Sequence, residues 1–158
     1  MCWNCDNPGK TQQDYLDEVV QPIIDEHGWM IQFVSGERRR PPFAYTVGLT
    51  AGGYPELLAY GLSQQGAWRL LQSAATHLVM HQQQPYFPGQ RLTIHDLPQV
   101  EIVHIDHPED HLYTAINLYG SVVRALQVVY SDDRGQWPWA VGFRGKQPIL
   151  GVRSRDAA

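Results

Sequence analysis

Three groups of side chains have the types and spacing of metal ligands or catalysts. Cys2-Trp3-Asn4-Cys5 has the spacing of half a zinc knuckle, or of a redox dithiol. A closed zinc site needs four ligands, and the sequence holds 2 cysteines, so histidines such as His27 would have to supply the rest. A redox dithiol needs a strand before it and a helix opening on it to lower the first thiol's pKa. Only Met1 stands before Cys2, so two ordinary thiols near a chain end is the simpler reading. His104, His107 and His111, with Asp106, Glu109 and Asp110, form the densest set of potential ligands. Imidazoles with a carboxylate suit zinc and would serve a metal-dependent hydrolase. Against this, Pro108 fits the first turn of a helix whose dipole Glu109 and Asp110 complement, and His104 alternates within an apolar strand. His77 and His81 stand four apart, as in zinc proteases, but Leu78 occupies the place of the catalytic glutamate. His81 reads instead as the margin of an apolar helical stripe.

Other motifs are incomplete. Gly9-Lys10-Thr11 lacks the first glycine and the preceding strand of a phosphate loop. Ser63 lacks the flanking glycines of a nucleophile elbow and reads as a helix N-cap. Trp137-Pro138-Trp139, beside a basic stretch, has the ingredients of a stacking platform for single-stranded nucleic acid. The indoles share a face with Val141 and Phe143, however, in alternation with Pro138, Ala140 and Gly142, which is the pattern of a core strand, placed at a sheet edge by Pro138. The lead for a ligand site is different. Ala44, Thr46, Gly48, Ala59 and Gly61 make a sheet face without bulk, which a ligand or another backbone can approach closely. Arg38, Arg39 and Arg40 precede it and could hold an anionic group by paired hydrogen bonds. Arg38, Arg39, Arg40, Thr46 and Gly48 are therefore the candidate ligand contacts, and Cys2, Cys5, His104, His107 and His111 the candidate metal ligands.

The elements that position these residues follow from periodicity. Thr11 with Asp14 starts a helix through Leu16, Val20, Ile23 and Ile24 to Gly28, with Pro22 predicting a kink or a break. Trp29–Ser35 reads as a strand. Phe43, Tyr45, Val47 and Leu49 are large and the residues between them small, so the large set should form the core side of the next strand. Leu58, Tyr60 and Leu62 repeat the pattern on its return. Ser63 then caps a long helix to about Gln83, and Pro108 opens another ending at Gly120. Arg91–His95, Gln99–Asp106 and Val122–Ser131 read as further strands, and Met1–Lys10 as irregular. The fold expected is α+β: a mostly antiparallel or mixed sheet with about three packed helices, in a single globular domain over residues 1–158.

Composition sets the limits. With 158 residues and 43% hydrophobic content the chain can bury its own core, so zinc is not required for folding. The net charge of −4 lacks the broad positive field that phosphate backbones need, which argues against nucleic acid. Five basic residues and no acid between Arg134 and Arg155 form a local exception. No apolar run is long enough to span a membrane, and no export signal is visible, so the cytoplasm is the expected location.

Pro41-Pro42-Phe43-Ala44-Tyr45-Thr46-Val47-Gly48-Leu49-Thr50 resembles the bacterial "domain of unknown function 4262" family. Cys2-x-x-Cys5-Asp6, His27-Gly28-Trp29, Pro55-Glu56-Leu57 and His111-Leu112 extend the likeness, as do Tyr119-Gly120, Arg124-Ala125-Leu126-Gln127 and Trp137-Pro138-Trp139. The resemblance implies a stand-alone bacterial domain, but no reaction and no catalytic residues. The expected function is a cytoplasmic domain that binds a small ligand or a protein partner without self-sufficient catalysis. The alternative is a metal-dependent, hydrolase-like enzyme built on His104, His107 and His111.

Overall fold

Thr11 opens the first long helical stretch because its side chain and that of Asp14 answer each other. The Thr11 hydroxyl accepts from the Asp14 N–H (3.1 Å), and the Asp14 carboxylate accepts from the Thr11 N–H (2.7 Å). The structure, a computed structural model, describes residues 3–153. Helix α1 (Trp3–Asp6) corrects the expected irregular N-terminus. It is a single turn held by Asn7, whose amide donates to the Trp3 carbonyl (2.9 Å). Helix α2 (Gln12–Tyr15) runs through a π turn (Leu16–Val20) into α3 (Gln21–His27). Pro22 explains that turn. Its ring crowds the carbonyl four residues back and it lacks an N–H, and one wide turn before it absorbs the misfit without a break. Gly28, at φ 89, ends α3.

The strands are β1 (Met30–Val34), β2 (Phe43–Val47), β3 (Glu56–Tyr60), β4 (Arg91–Leu92), β5 (Val100–His104) and β6 (Ala125–Tyr130). They form one mixed sheet in the order β1-β2-β3-β6-β5-β4. Every pairing is antiparallel except β3 with β6. Helices α4 (Gln64–Met80) and α5 (Tyr113–Tyr119) complete an α+β fold. Ser63 caps α4, its hydroxyl accepting from the Gly66 N–H (3.1 Å).

Both faces of β2 and β3 are buried. Phe43, Tyr45, Val47, Leu58 and Tyr60 pack against Leu16, Val20 and Ile24 of the first helical stretch and Leu112 and Ala115 around α5. Ala44 and Ala59 pack with Leu57 against Leu70, Leu71, Ala74 and Leu78 of α4. The small-residue side is closely approached by another backbone, that of α4, as its lack of bulk predicts, and both sides of the hairpin are core. The three leucines of α4 contribute roughly 1.5–3 kcal/mol each by burial. Leu49 joins the α4 cluster instead of the Phe43 set, because the chain leaves the strand at Gly48 (φ 128).

Two expected strands shrink or vanish. Arg91–His95 is reduced to two residues, and Trp137–Phe143 forms turns, not an edge strand. The C-terminal segment instead covers β6 through side-chain amides. Gln147 pairs with both the N–H and the carbonyl of Tyr130 (3.0 Å each), as a neighbouring strand would. Gln127 donates to the Pro148 carbonyl (2.7 Å) and accepts from the Leu150 N–H (2.8 Å). The helix expected from Pro108 begins as one 3₁₀ turn (Pro108–Asp110) and restarts at Tyr113. Among the described residues no helix is long and apolar enough to cross a membrane.

Candidate functional site

The decapeptide at Pro41 leads to a buried carboxylate. Glu56, at the start of β3, is 0% exposed and accepts five hydrogen bonds. The Thr46 hydroxyl (2.8 Å) and the N–H groups of Gly48 (3.2 Å), Leu49 (3.1 Å) and Thr50 (2.9 Å) donate to it, as does the Thr50 hydroxyl. Burial pushes its carboxyl upward while these donors oppose the shift. Thr46 also accepts from the Leu57 N–H (2.8 Å), so its hydroxyl is committed on both sides. A Cβ on Gly48 would stand 2.8 Å from the Gly28 carbonyl oxygen and 2.9 Å from Trp29 Cα. Both Thr46 and Gly48 are therefore used inside the fold and line no open cavity. Glu56, which organises them, escaped the sequence reading, although its place ten residues after Thr46 beside a glycine turn was a visible signal.

An open cleft of about 510 Å³ lies elsewhere, between α1, α2, the end of β1 and the start of α5. Its aromatic walls are Trp3, Tyr15, Phe33, Tyr45 and Tyr113. Trp3 and Tyr15 pack at 5.3 Å between ring centres. Tyr15 donates to Gln32 (2.9 Å), and the buried Tyr45 hydroxyl accepts from the Thr114 N–H (3.0 Å). Burial raises both phenols above their ordinary range, so they remain neutral. Among the described residues no charged side chain lines the cleft.

The arginine triplet sits on the hairpin between β1 and β2. Arg38 and Arg39 are exposed there. Arg40 reaches back toward Ser35, on the cleft's margin, contacting its carbonyl (3.5 Å) and Glu37 (3.3 Å). Its guanidinium lies 5.1 Å from the Phe43 ring centre, and its Nε is buried without a hydrogen-bond partner. His111 meets Phe43 and Tyr60 edge-on at 6.2 and 6.5 Å. Burial lowers its pKa, and Arg40 adds to that while Asp110 opposes it.

The histidine cluster is not assembled as a metal centre. His104 faces Asp106 (3.6 Å), His107 faces Glu109 (3.2 Å), and His111 turns into the aromatic cluster. Among the described residues no three His, Cys, Asp or Glu side chains are grouped to hold a metal ion. The alternative of a metal-dependent hydrolase on these residues is therefore not favoured. The physical reason is that Leu112, fully buried, fixes the break between the 3₁₀ turn and α5, which sends His107 and His111 different ways. Cys5 is exposed, and Cys2 lies outside the described residues.

The tryptophan motif makes a structure that alternation could not foretell. Trp137 and Trp139 stack at 5.3 Å and 3°. Arg91 lies over the first ring (4.7 Å) and Arg153 over the second (3.5 Å). Both guanidiniums reach Glu101 of β5, itself 0% exposed, at 3.1 Å and 2.7 Å. Trp139 stays 37% exposed, so the core-strand reading is corrected, and the arginines occupy outer faces on which bases would stack.

The family described as "Domain of unknown function (DUF4262)" matches residues 23–144. No curated protein and no solved structure matches the chain.

Proposed function

The chain belongs to the DUF4262 family, a domain of unknown function, and on that premise we propose that it is a binding domain for a neutral, ring-containing small molecule held in the cleft between α1 and α5. One observation carries this reading. The cleft has the size of a ligand pocket, and among the described residues it is lined mainly by rings, amides and hydroxyls with no charged side chain. Such a lining stacks on flat faces and reads hydrogen-bonding edges, as a nucleobase or a sugar offers, while giving a free anion no counter-charge. Tyr45 and Thr114 form a fixed floor. Asn4, Gln12 and Asn117 stand at the rim without a side-chain hydrogen bond among the described residues, ready to meet a ligand. Arg40 is a positioning residue at the margin, through Ser35 and Phe43.

Calorimetric titration with free nucleobases, nucleosides and neutral sugars, each beside its phosphorylated form, tests the reading. Neutral compounds should bind, and Tyr113→Ala and Asn117→Ala should each weaken binding by about tenfold or more at unchanged stability. No binding across the neutral panel, or binding that survives both substitutions, would sink it.

A further inference from the structure

A second cavity, of about 440 Å³, opens beside the start of the parallel β3–β6 ladder and shares no lining residue with the aromatic cleft. Its walls are apolar and held in place. Leu78 of α4, Tyr86 and Leu126 of β6 line it and belong to one buried core cluster, against which Tyr54 packs. The Tyr86 hydroxyl donates to the Ala74 carbonyl (2.9 Å), which fixes that ring. Pro55, Pro85 and Pro88, also in the lining, stiffen the backbone around it. Few polar side chains enter. His104 stands opposite Leu126 in the β5–β6 ladder, so the two share a face of the sheet. Arg124 is fixed at both ends: its carbonyl accepts from the Glu56 N–H (2.8 Å), and its guanidinium donates to the Gly53 carbonyl (2.9 Å). That bond uses one of five guanidinium donors, and the rest have no hydrogen-bond partner among the described residues. Among the described residues no acidic side chain lines the cavity, and Asp106, 3.6 Å from His104, stands outside the lining.

We propose that this cavity binds a small organic acid, with its carboxylate on Arg124 and its apolar body against Tyr54, Tyr86 and Leu126. The lining is that of a ligand site, mostly apolar with a few placed polar groups. A guanidinium meets the two oxygens of a carboxylate with paired N–H donors, and Arg124 still has those donors to give. A single guanidinium suits a monoanion, whereas phosphate recognition draws on clusters of arginines. His104 lines the same cavity and offers it a ring nitrogen. The two cavities therefore divide by charge: the cleft between α1 and α5 selects neutral rings, and this one selects acids.

Calorimetric titration of the full chain with benzoate, phenylacetate and hexanoate tests the proposal, each beside its neutral amide, with phenyl phosphate as the dianionic arm. At least one acid should bind, and its amide should bind about tenfold or more weakly than it. Arg124→Gln should weaken the acid by about tenfold or more, while Arg144→Gln, at an exposed arginine outside this cavity, should leave it unchanged. Arg124 is exposed, so its replacement reports without endangering the fold, which thermal melts check. An arginine that merely ties down Gly53 would change the melt and not the affinity. Tyr113→Ala, in the separate cleft, should leave acid binding untouched. No binding by any of the acids overturns the proposal, as does equal binding of the amides or tighter binding of phenyl phosphate. Acid binding that survives Arg124→Gln, or that is lost in Tyr113→Ala, overturns it as well.

Discussion

Glu56 and Glu101 are both strand glutamates with no exposed surface, yet the fold treats them in opposite ways. Glu56 is satisfied by neutral donors, three backbone N–H groups and two hydroxyls from one stretch of chain, residues 46–50. Glu101 is satisfied by two guanidiniums from Arg91 and Arg153, whose side chains remain 39% and 28% exposed. The first arrangement fixes a backbone path and has nowhere else to send its donors. The second closes a flap over β5 and β6, and its arginines can return to water. Burial of a charge therefore says little by itself; what its partners lose when it is removed decides its worth.

The widest test of this contrast is Glu56→Ala. Five donors lose their acceptor at once, at about 1–3 kcal/mol for each that stays buried, so a loss of ~4 kcal/mol or more is expected in urea unfolding. If Glu101→Ala costs as much, the contrast fails. Gly48→Ala comes next, at ~2–3 kcal/mol, because its Cβ meets backbone at 2.8 Å and its φ of 128° suits glycine alone. A neutral result in thermal melts would mean the Glu56 turn can relax, and that its order is not the reason for the motif. Glu101→Gln should cost only ~1–2 kcal/mol, since its partners rehydrate. Added salt should erase part of that difference, whereas the Glu56→Ala loss should be salt-insensitive. Trp139→Ala should cost ~1 kcal/mol through the lost stack and cation–π contact, with a change in tryptophan emission.

The smallest effect supplies the pH baseline. The folded pKa of His111 is lowered by burial, so its contribution is fully present above the unfolded value of about 6.5. It falls as pH drops through 6.5 toward the folded pKa, then levels. His77 moves in the same direction, so His111→Gln should flatten the acid-side slope of a pH–stability curve only in part. A steeper slope in the variant would contradict the assignment.

Elements specified by local pattern were legible in the residues. Thr11 with Asp14, Ser63, Gly28 and the alternation from Phe43 each act over a few positions, and each forms what its spacing predicts. Trp137–Phe143 misled because the large residues alternate for another reason: the two indoles face arginines that are distant in sequence. Glu101 could not be read as buried, since its partners stand ten residues before it and fifty-two after. The cleft is equally non-local. It joins Trp3, Gln32, Tyr45 and Asn117, which share no motif and meet only when four elements pack. Thr46 and Gly48 stand out in the sequence for their small size, and in the structure Thr46 donates to Glu56 while Gly48 lets the Gly28 carbonyl lie close.

The single parallel ladder carries a kinetic meaning. Strands β1, β2 and β3 follow one another as antiparallel neighbours, and α4 lies against all three, so this half can assemble from nearby chain. Strands β5 and β6 also pair antiparallel, and the parallel β3–β6 ladder, with Glu56 opposite Ala125, is the strand pairing that joins the halves. That weld closes the longest loop in the sheet, so its entropy must be met before its contacts reward it. The β3–β6 seam is thus the natural late step of folding and the natural first line of partial opening, with amides of β2 keeping their protection from exchange after those of β5 have lost theirs.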